Sequence, residues 1–505
     1  MDSNHKAPRR RRAAFIMIGG GYANAVISTV QGLVLLPLYL YYVGDRLYGL
    51  WLATGGVLAV LGCLDVGLAS LLIQRISKSY AQNDPDKVAS YFVNGLIYYS
   101  VLMSALVLIA SALSFFVPGM FNASLEEAEI LRECFILAAL GLALSLLNNA
   151  VAGFQQALQR PLFMQFSTTI CSIIGLGATV VMLYLGVGLR SIPLGFLARN
   201  IPLILSNFIF DLHLLKQLRA AIRFDFGVIR EIRGLSLALF ASKLGSSAAG
   251  QIEPALIAYF IRPELATSFV VTKKVTAIID YCLNTIISSV FPGFAHLYGE
   301  GNKVRAAQVY MQIATMICCL SAVAYSLYLA GNHAFIDLWV GNQQFAGQTV
   351  TLLIALGCFF ATLLNFNFYF ISATGDIKVP SLINAAESVF RLCLMAVLLN
   401  MVGIIGLPLA IIISSIVFYI CVSRRMQNHF PSKLLTLRDT LRLFLVCSVL
   451  FAIALGASSI PLCSWITLIS YLIGLGIIFI LIECATIPMV RSWLQGLVLQ
   501  HKLFP

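Results

Sequence analysis

Charge is what this chain has least of. Lys, Arg, Asp and Glu make up 11% of its 505 residues, and the mean hydropathy is +0.91. Soluble domains carry about 25% charged residues, so a soluble fold of this length is excluded. Long polar connections are missing as well. The longest on one side, around Phe121 to Glu133 and Gly331 to Gln348, run to only about 15 residues. They leave no room for a folded extramembrane domain, which weighs against a membrane-bound enzyme. There is no Walker A loop, so ATP does not drive the process directly, and no HExxH or Cys-His spacing. Gly19-Gly20-Gly21 lies in an apolar run with no dinucleotide-binding pattern after it. No cofactor and no metal are expected. The 12 cysteines sit almost entirely in apolar runs and read as small buried hydrophobes. Cys134 and Cys463, near the ends of their runs, are the one pair placed to meet.

What the chain does have is fourteen apolar spans: 14–43, 47–76, 89–117, 130–157, 161–187, 190–213, 234–261, 264–295, 305–331, 347–373, 379–400, 403–423, 440–457 and 462–487. A helix crosses a bilayer with about 20 apolar residues, whereas a barrel would show short alternating segments. The expected fold is therefore an all-α polytopic membrane protein with about 14 transmembrane helices. Basic residues fill alternate gaps: 24 of the 33 Lys and Arg lie in these gaps or at their edges, and only Arg46, Arg132, Arg190 and Arg262 lie in the other gaps or at their edges. By the positive-inside rule both termini are expected in the cytoplasm. The net charge of +12 is dispersed over these gaps, not gathered into one patch, so no nucleic-acid partner is expected. Arg9 to Arg12 followed by Ala23-Asn24-Ala25 imitates a signal peptide, but the apolar run continues to Tyr42. It reads as an uncleaved first helix.

The basic connection 214–233 divides the first six spans from the next six. The expected organisation is a tail (1–13), an N-lobe (14–213), an inter-lobe loop (214–233), a C-lobe (234–423), a loop (424–439), two further helices (440–487) and a tail (488–505). The halves echo each other faintly. Ala81-Gln82-Asn83-Asp84 and Gly299-Glu300-Gly301-Asn302 are comparable turns, each followed by a Lys-Val pair, Lys87-Val88 and Lys303-Val304.

Polar residues inside the spans mark interior faces. Asn24, Ser28 and Gln31 share one face of the first helix; Ser145, Asn148, Ala152, Gln155 and Gln159 form a stripe on the fourth; Asn365, Tyr369, Ser372 and Asp376 form one on the tenth. Any one stripe suits ordinary helix–helix hydrogen bonding, while several together favour a wet cavity. Asn24, Gln31, Asn148, Asn284 and Asn365 are the candidate sugar contacts. The buried charges are more telling. A charge at the bilayer centre costs about 2.5–3.5 kcal/mol, so it must face protein, water or substrate. Glu387 and Arg391 stand at i, i+4 in the order that pairs. Lys273 is two turns from Asp280, Lys274 points about 100° away from Lys273, and Lys243 and Glu253 are too far apart to neutralise each other. Arg199 has no acid within four residues. Unpaired cations in a cleft suit an anionic ligand, above all a diphosphate, so Arg199, Lys243, Lys273, Lys274 and Arg391 are its candidate contacts. Asp65, Glu253, Asp280 and Glu387 are the candidates for a coupling proton or Na+.

One stretch carries a family likeness. Pro37-Leu38-Tyr39, Val43-Gly44, Tyr48-Gly49-Leu50-Trp51, Leu64-Asp65-Val66-Gly67-Leu68 and Arg75 follow in order. This series resembles polysaccharide-unit flippases of the Wzx/PST type within the MATE-like (MOP) flippase superfamily. The resemblance implies two six-helix lobes plus two C-terminal helices and alternating access between the lobes. It also implies transfer of an undecaprenyl-diphosphate-linked oligosaccharide across a bacterial inner membrane. Expected partners are that lipid-linked saccharide, the bilayer, a proton or Na+, and polysaccharide polymerase or assembly proteins. The alternatives are a cation-coupled multidrug exporter of the MATE type, a lipid II flippase, or a membrane polysaccharide polymerase or ligase. In lipid II flippases the important arginines cluster early in the first lobe; here the first helix holds none beyond the tail.

Overall fold

The computed structural model describes residues 6–62, 68–218, 250–376, 378–430 and 437–491. Among them the secondary structure is helical, with no strand. The helices are α1 (Lys6–Tyr42), α2 (Asp45–Gly62), α3 (Leu68–Ala81), α4 (Pro85–Leu113), α5 (Val117–Met120), α6 (Leu125–Ala157), α7 (Leu162–Tyr184) and α8 (Ser191–Leu218). They continue with α9 (Glu253–Phe260), α10 (Pro263–Gly299), α11 (Lys303–Val340), α12 (Gln348–Ala373), α13 (Lys378–Val402), α14 (Gly406–Gln427), α15 (Leu437–Ala457) and α16 (Trp465–Thr486). Among the described residues, ten helical stretches are long and apolar enough to cross a membrane. Their outward faces are apolar too: α16 exposes Ile466, Ile469, Ile473, Ile477 and Leu481. Apolar surface on this scale belongs against lipid, and the protein is a multi-pass membrane protein.

The chain forms two compact units, divided between Ala266 and Thr267. In the first, α7 and α6 both pack on α8, α4 and α3 pack on α6, and α1 packs on α7. The core is built by Leu72, Val88, Phe92, Phe154 and Leu214, with the Phe92 and Phe154 rings 4.3 Å apart. After the connection 214–233, of which residues 219–233 lie outside the described residues, α9 packs on α2. A Cβ on Gly56 would stand 2.9 Å from the Gln251 carbonyl oxygen, so glycine permits that approach. In the second unit α12 and α13 pack on α14, and α11 carries α15 and α16. Cys318 and Cys447 thiols meet there at 3.9 Å, and Phe335 stacks edge-on to Trp465. The last two helices are thus packed along the length of α11.

Among the element ends that differ from the expectation, three have a local physical reason. The ninth expected span does not stop at Gly331, because α11 runs to Val340. Gly331 is a contact point, since a Cβ there would meet Leu472 of α16 at 2.9 Å. α6 begins at Leu125, not 130, because Ser124 and Glu127 form a capping box. Gln159 lies beyond the end of α6, with φ of 60°, so the polar stripe of that helix stops at Gln155. The echo between the halves also changes register. Asn83 and Gly301 are both left-handed, and Asp84 and Asn302 cap α4 and α11 through the amides of Lys87 and Arg305. Lys87 therefore corresponds to Arg305, not to Lys303.

At one end of the second unit, the Asp376 carboxylate accepts from Arg425 Nε at 2.7 Å and lies 3.3 Å from His429 Nε2, with Tyr298 on the far ring nitrogen. The hydrogen bond from Arg425, then that from His429, holds the Asp376 carboxyl below its ordinary value of 3.8. A depressed carboxyl stabilises the fold above its unfolded value, and that contribution is lost as pH falls through the folded value. Amide exchange at the α12–α13 turn should therefore accelerate below the ordinary carboxylate range, and Asp376→Asn should remove that acid dependence. Equal acid sensitivity in the variant would contradict the assignment.

Candidate functional site

A cavity of about 400 Å³ opens in the first unit, among α1, α2, α6, α7 and α8. It sits at the end of the unit where α1 turns into α2. Gly44 makes that turn with φ of +86°, and Tyr39 stacks on buried Tyr48 with centroids 5.5 Å apart. The stacking turns Tyr39 and Trp51 onto the cavity wall, beside Gln31 and Ser172. The opposite wall comes from α8, which presents Arg199.

Glycine brings α7 and α8 together behind Arg199. A Cβ on Gly175 would lie 2.7 Å from the Arg199 Cβ, and one on Gly195 only 1.8 Å from Thr179 Oγ1. Thr179 in turn donates to the Gly175 carbonyl oxygen at 2.9 Å. Small residues allow backbones to approach this closely in membrane helices. The Arg199 side chain is half-buried, and its Nε is sealed from solvent with no hydrogen-bond partner among the described residues. Among the described residues the guanidinium has no acid beside it on this wall, and a charged planar group of this kind suits an anionic oxygen.

The structure sorts the other sequence candidates. Asn24 donates to Gln165 Oε1 and accepts from Thr169, both at 2.8 Å, and so joins α1 to α7. Gln31, two turns on, donates to the Ser172 carbonyl at 2.7 Å while lining the cavity. Asn148 does not line it: it accepts from Asn207 in a buried network between α6 and α8. In the second unit, Asn365 donates to Asn284 at 2.7 Å, and Asp280 accepts from the Tyr325 hydroxyl, which also lies 3.1 Å from Thr362. The pair anticipated from spacing is formed, with Arg391 Nε 3.5 Å from Glu387 Oε1. Lys273 stands over the Phe269 ring at 6.0 Å, and Lys274 is half-buried. Glu253 is buried at the start of α9. Asp65 and Lys243 lie outside the described residues.

Two features escaped the sequence. Asp211 is fully buried on α8, one turn from Asn207; the pattern Asn207–Asp211 at i, i+4 within an apolar helix was the available signal. Three of the four arginines on the side with few basic residues are engaged. Arg46 reaches Glu127 at 2.9 Å and Glu264 at 3.0 Å, Arg190 reaches Glu133 at 2.5 Å, and Arg132 covers the Phe115 ring.

The sequence pattern of the family described as polysaccharide biosynthesis protein matches residues 49–344. The chain belongs to that family. The match spans Trp51 and Arg199 of the cavity and both turns that echo between the halves. Among solved structures, this family member is similar to the lipid II flippase MurJ in an inward closed conformation. The TM-score is 0.70 at 14% identity, covering 94% of this chain and 99% of that one. It is also similar to an inward-facing multidrug resistance MATE family transporter of the MOP superfamily, with TM-score 0.61, 14% identity and coverage of 80% and 95%. The Vibrio cholerae MATE transporter VcmN in its bent form gives 0.51 at 12% identity, covering 84% and 100%. At such identities the likeness is one of fold, and the fold is MurJ- and MATE-like. No curated protein sequence matches the chain.

Proposed function

We propose that this protein flips an oligosaccharide unit linked to undecaprenyl diphosphate from the cytoplasmic to the outer leaflet of a bacterial inner membrane. The unit would feed O-antigen, capsule or exopolysaccharide assembly, and both termini would lie in the cytoplasm. The observation that carries this reading is Arg199, whose buried Nε lacks a partner on the wall of a cavity that also presents Gln31, Tyr39 and Trp51. A guanidinium suits phosphate oxygens, and aromatic rings with an amide suit a sugar face. A cavity of about 400 Å³ falls in the range of about 300–1,000 Å³ that holds small ligands. Membership in a polysaccharide biosynthesis family supports a saccharide cargo. Lys274, half-buried in the second unit, and Lys273 are further cations for the diphosphate, while Arg391 is shared with Glu387. Glu253, Asp280 and Glu387 are candidates for the coupling ion.

The fold is equally that of MATE transporters, so a cation-coupled drug exporter is the competing reading. Purified protein in vesicles loaded with fluorescent polyprenyl-diphosphate saccharide separates the two. Protein-dependent exposure of the saccharide on the opposite leaflet is the expected result. Proton-driven dye export without saccharide exposure would overturn it.

A further inference from the structure

The first unit holds a second polar centre, set apart from the cavity and toward the other end of α8. Asp211 is fully buried, and neither carboxyl oxygen receives a hydrogen bond among the described residues. The Gln155 side chain lies against it. Its Nε2 donates one hydrogen to Asn207 Oδ1 at 3.2 Å, which leaves its second N–H as the one uncharged donor beside the carboxyl, and its own Oε1 is without a donor among the described residues. Asn207 Oδ1 accepts from Ser167 as well, at 3.0 Å, while its Nδ2 donates to Asn148. These donors are directed mostly away from the carboxyl, which is left with a single amide beside it and no charged partner among the described residues.

Among the described residues no cation answers the carboxyl. After Glu133, α6 carries no charged residue, and α7 carries none at all; its titratable groups are Cys171 and Tyr184. On α8, His213 and Lys216 are exposed, and Arg160 beyond α6 is exposed and bonded to Gln217. Arg75 and Lys78 stand on α3, and Asp86, Lys87, Tyr91, Tyr98 and Tyr99 on α4, the helices that share the apolar cluster of Leu214 and Leu215. None of them forms an ion pair or hydrogen bond with Asp211. An ionised carboxylate here would have no counter-charge among the described residues and at most one amide donor, whereas a bound proton supplies a donor toward an acceptor such as Gln155 Oε1.

We propose that Asp211, with Gln155, is a proton-binding site of the first unit, occupied while α6, α7 and α8 are packed together. Pro202 stands in α8 between Arg199 and Asp211. A proline inside a helix removes one backbone hydrogen bond and allows a bend. The cavity residue and the proton site thus lie on the two arms of one bendable helix, 12 residues or about 18 Å apart along the axis. Swinging the inner arm off α6 wets Asp211 and releases the proton.

Infrared difference spectroscopy of the full chain in lipid nanodiscs tests the site without reference to cargo. Subtracting the Asp211→Asn spectrum from that of the wild type at neutral pH should reveal the carbonyl stretch of a protonated carboxylic acid, shifted in D2O. A difference confined to carboxylate stretches would overturn the proposal. Should Asp211→Asn fail to fold, Gln155→Leu serves: it should move one carboxylic-acid band to higher frequency, and an unmoved spectrum would equally overturn it.

Discussion

Replacing Arg199 by alanine should lower saccharide translocation about 10- to 100-fold without lowering the thermal stability of the protein. Hydrogen bonds to a charged group are worth about 1.5–3 kcal/mol, and each 1.4 kcal/mol is a factor of about ten. The empty protein holds this guanidinium half-buried with its Nε unpaired, so truncation removes a desolvated group whose only proposed partner is the ligand. Activity and stability should therefore move separately, which a purely structural residue would not do. Arg199→Lys keeps the charge but loses the planar fork that grips two phosphate oxygens, and should fall between wild type and alanine. Translocation rate and melting temperature measured on the same preparations decide the matter. Unchanged transport in Arg199→Ala would remove the residue from the site.

Gly195→Ala should be the most damaging single-methyl change near the cavity. The added Cβ would fall 1.8 Å from Thr179 Oγ1 and 3.2 Å from the Gly175 carbonyl oxygen. Thr179 cannot turn away without giving up its bond to that carbonyl. Overpacking of this kind costs about 1–3 kcal/mol. It also pushes α7 from α8 where Arg199 leaves the helix, so transport should fall at least tenfold. Thr179→Ala in the same chain removes the clashing oxygen and should recover most of the lost stability. Contacting residues show such coupling, distant ones do not. A double variant less stable than Gly195→Ala alone would show that the α7–α8 crossing is not what glycine protects.

Spans were legible because each must present about 20 apolar residues to lipid, whatever its neighbours. Local pairs were legible for a similar reason: Glu387 and Arg391 lie one turn apart on their own helix, and they meet. Partner choice was not. Asn24 and Gln31 share a face of α1 and both reach α7, yet only Gln31 also borders the cavity. The difference depends on where α2, α6 and α8 close around α1, since the cavity is lined from those helices beside Gln31. Asn148 carries the same signal as Gln31 but meets Asn207, because α6 and α8 pack tightly there. Gly331 looked like a helix end because glycine usually punctuates; its use as a contact for Leu472 depends on a helix about 140 residues downstream. Arg199 was legible as an unpaired cation, while its place on a cavity wall required Gly175 and Gly195 to bring two helices together.

The central claim is that the cavity beside Arg199 receives the diphosphate end of a lipid-linked saccharide. Photo-crosslinking tests it most directly. A polyprenyl-diphosphate saccharide with a photoreactive group beside the diphosphate is irradiated with the full chain in vesicles, and the labelled peptides are mapped by mass spectrometry. Labels on the α1, α2, α7 and α8 segments around Gln31, Trp51, Ser172 and Arg199, displaced by unlabelled lipid-linked saccharide and weakened in Arg199→Ala, are the predicted result. Displaceable labelling confined to segments outside the cavity, unaffected by Arg199→Ala, would contradict it.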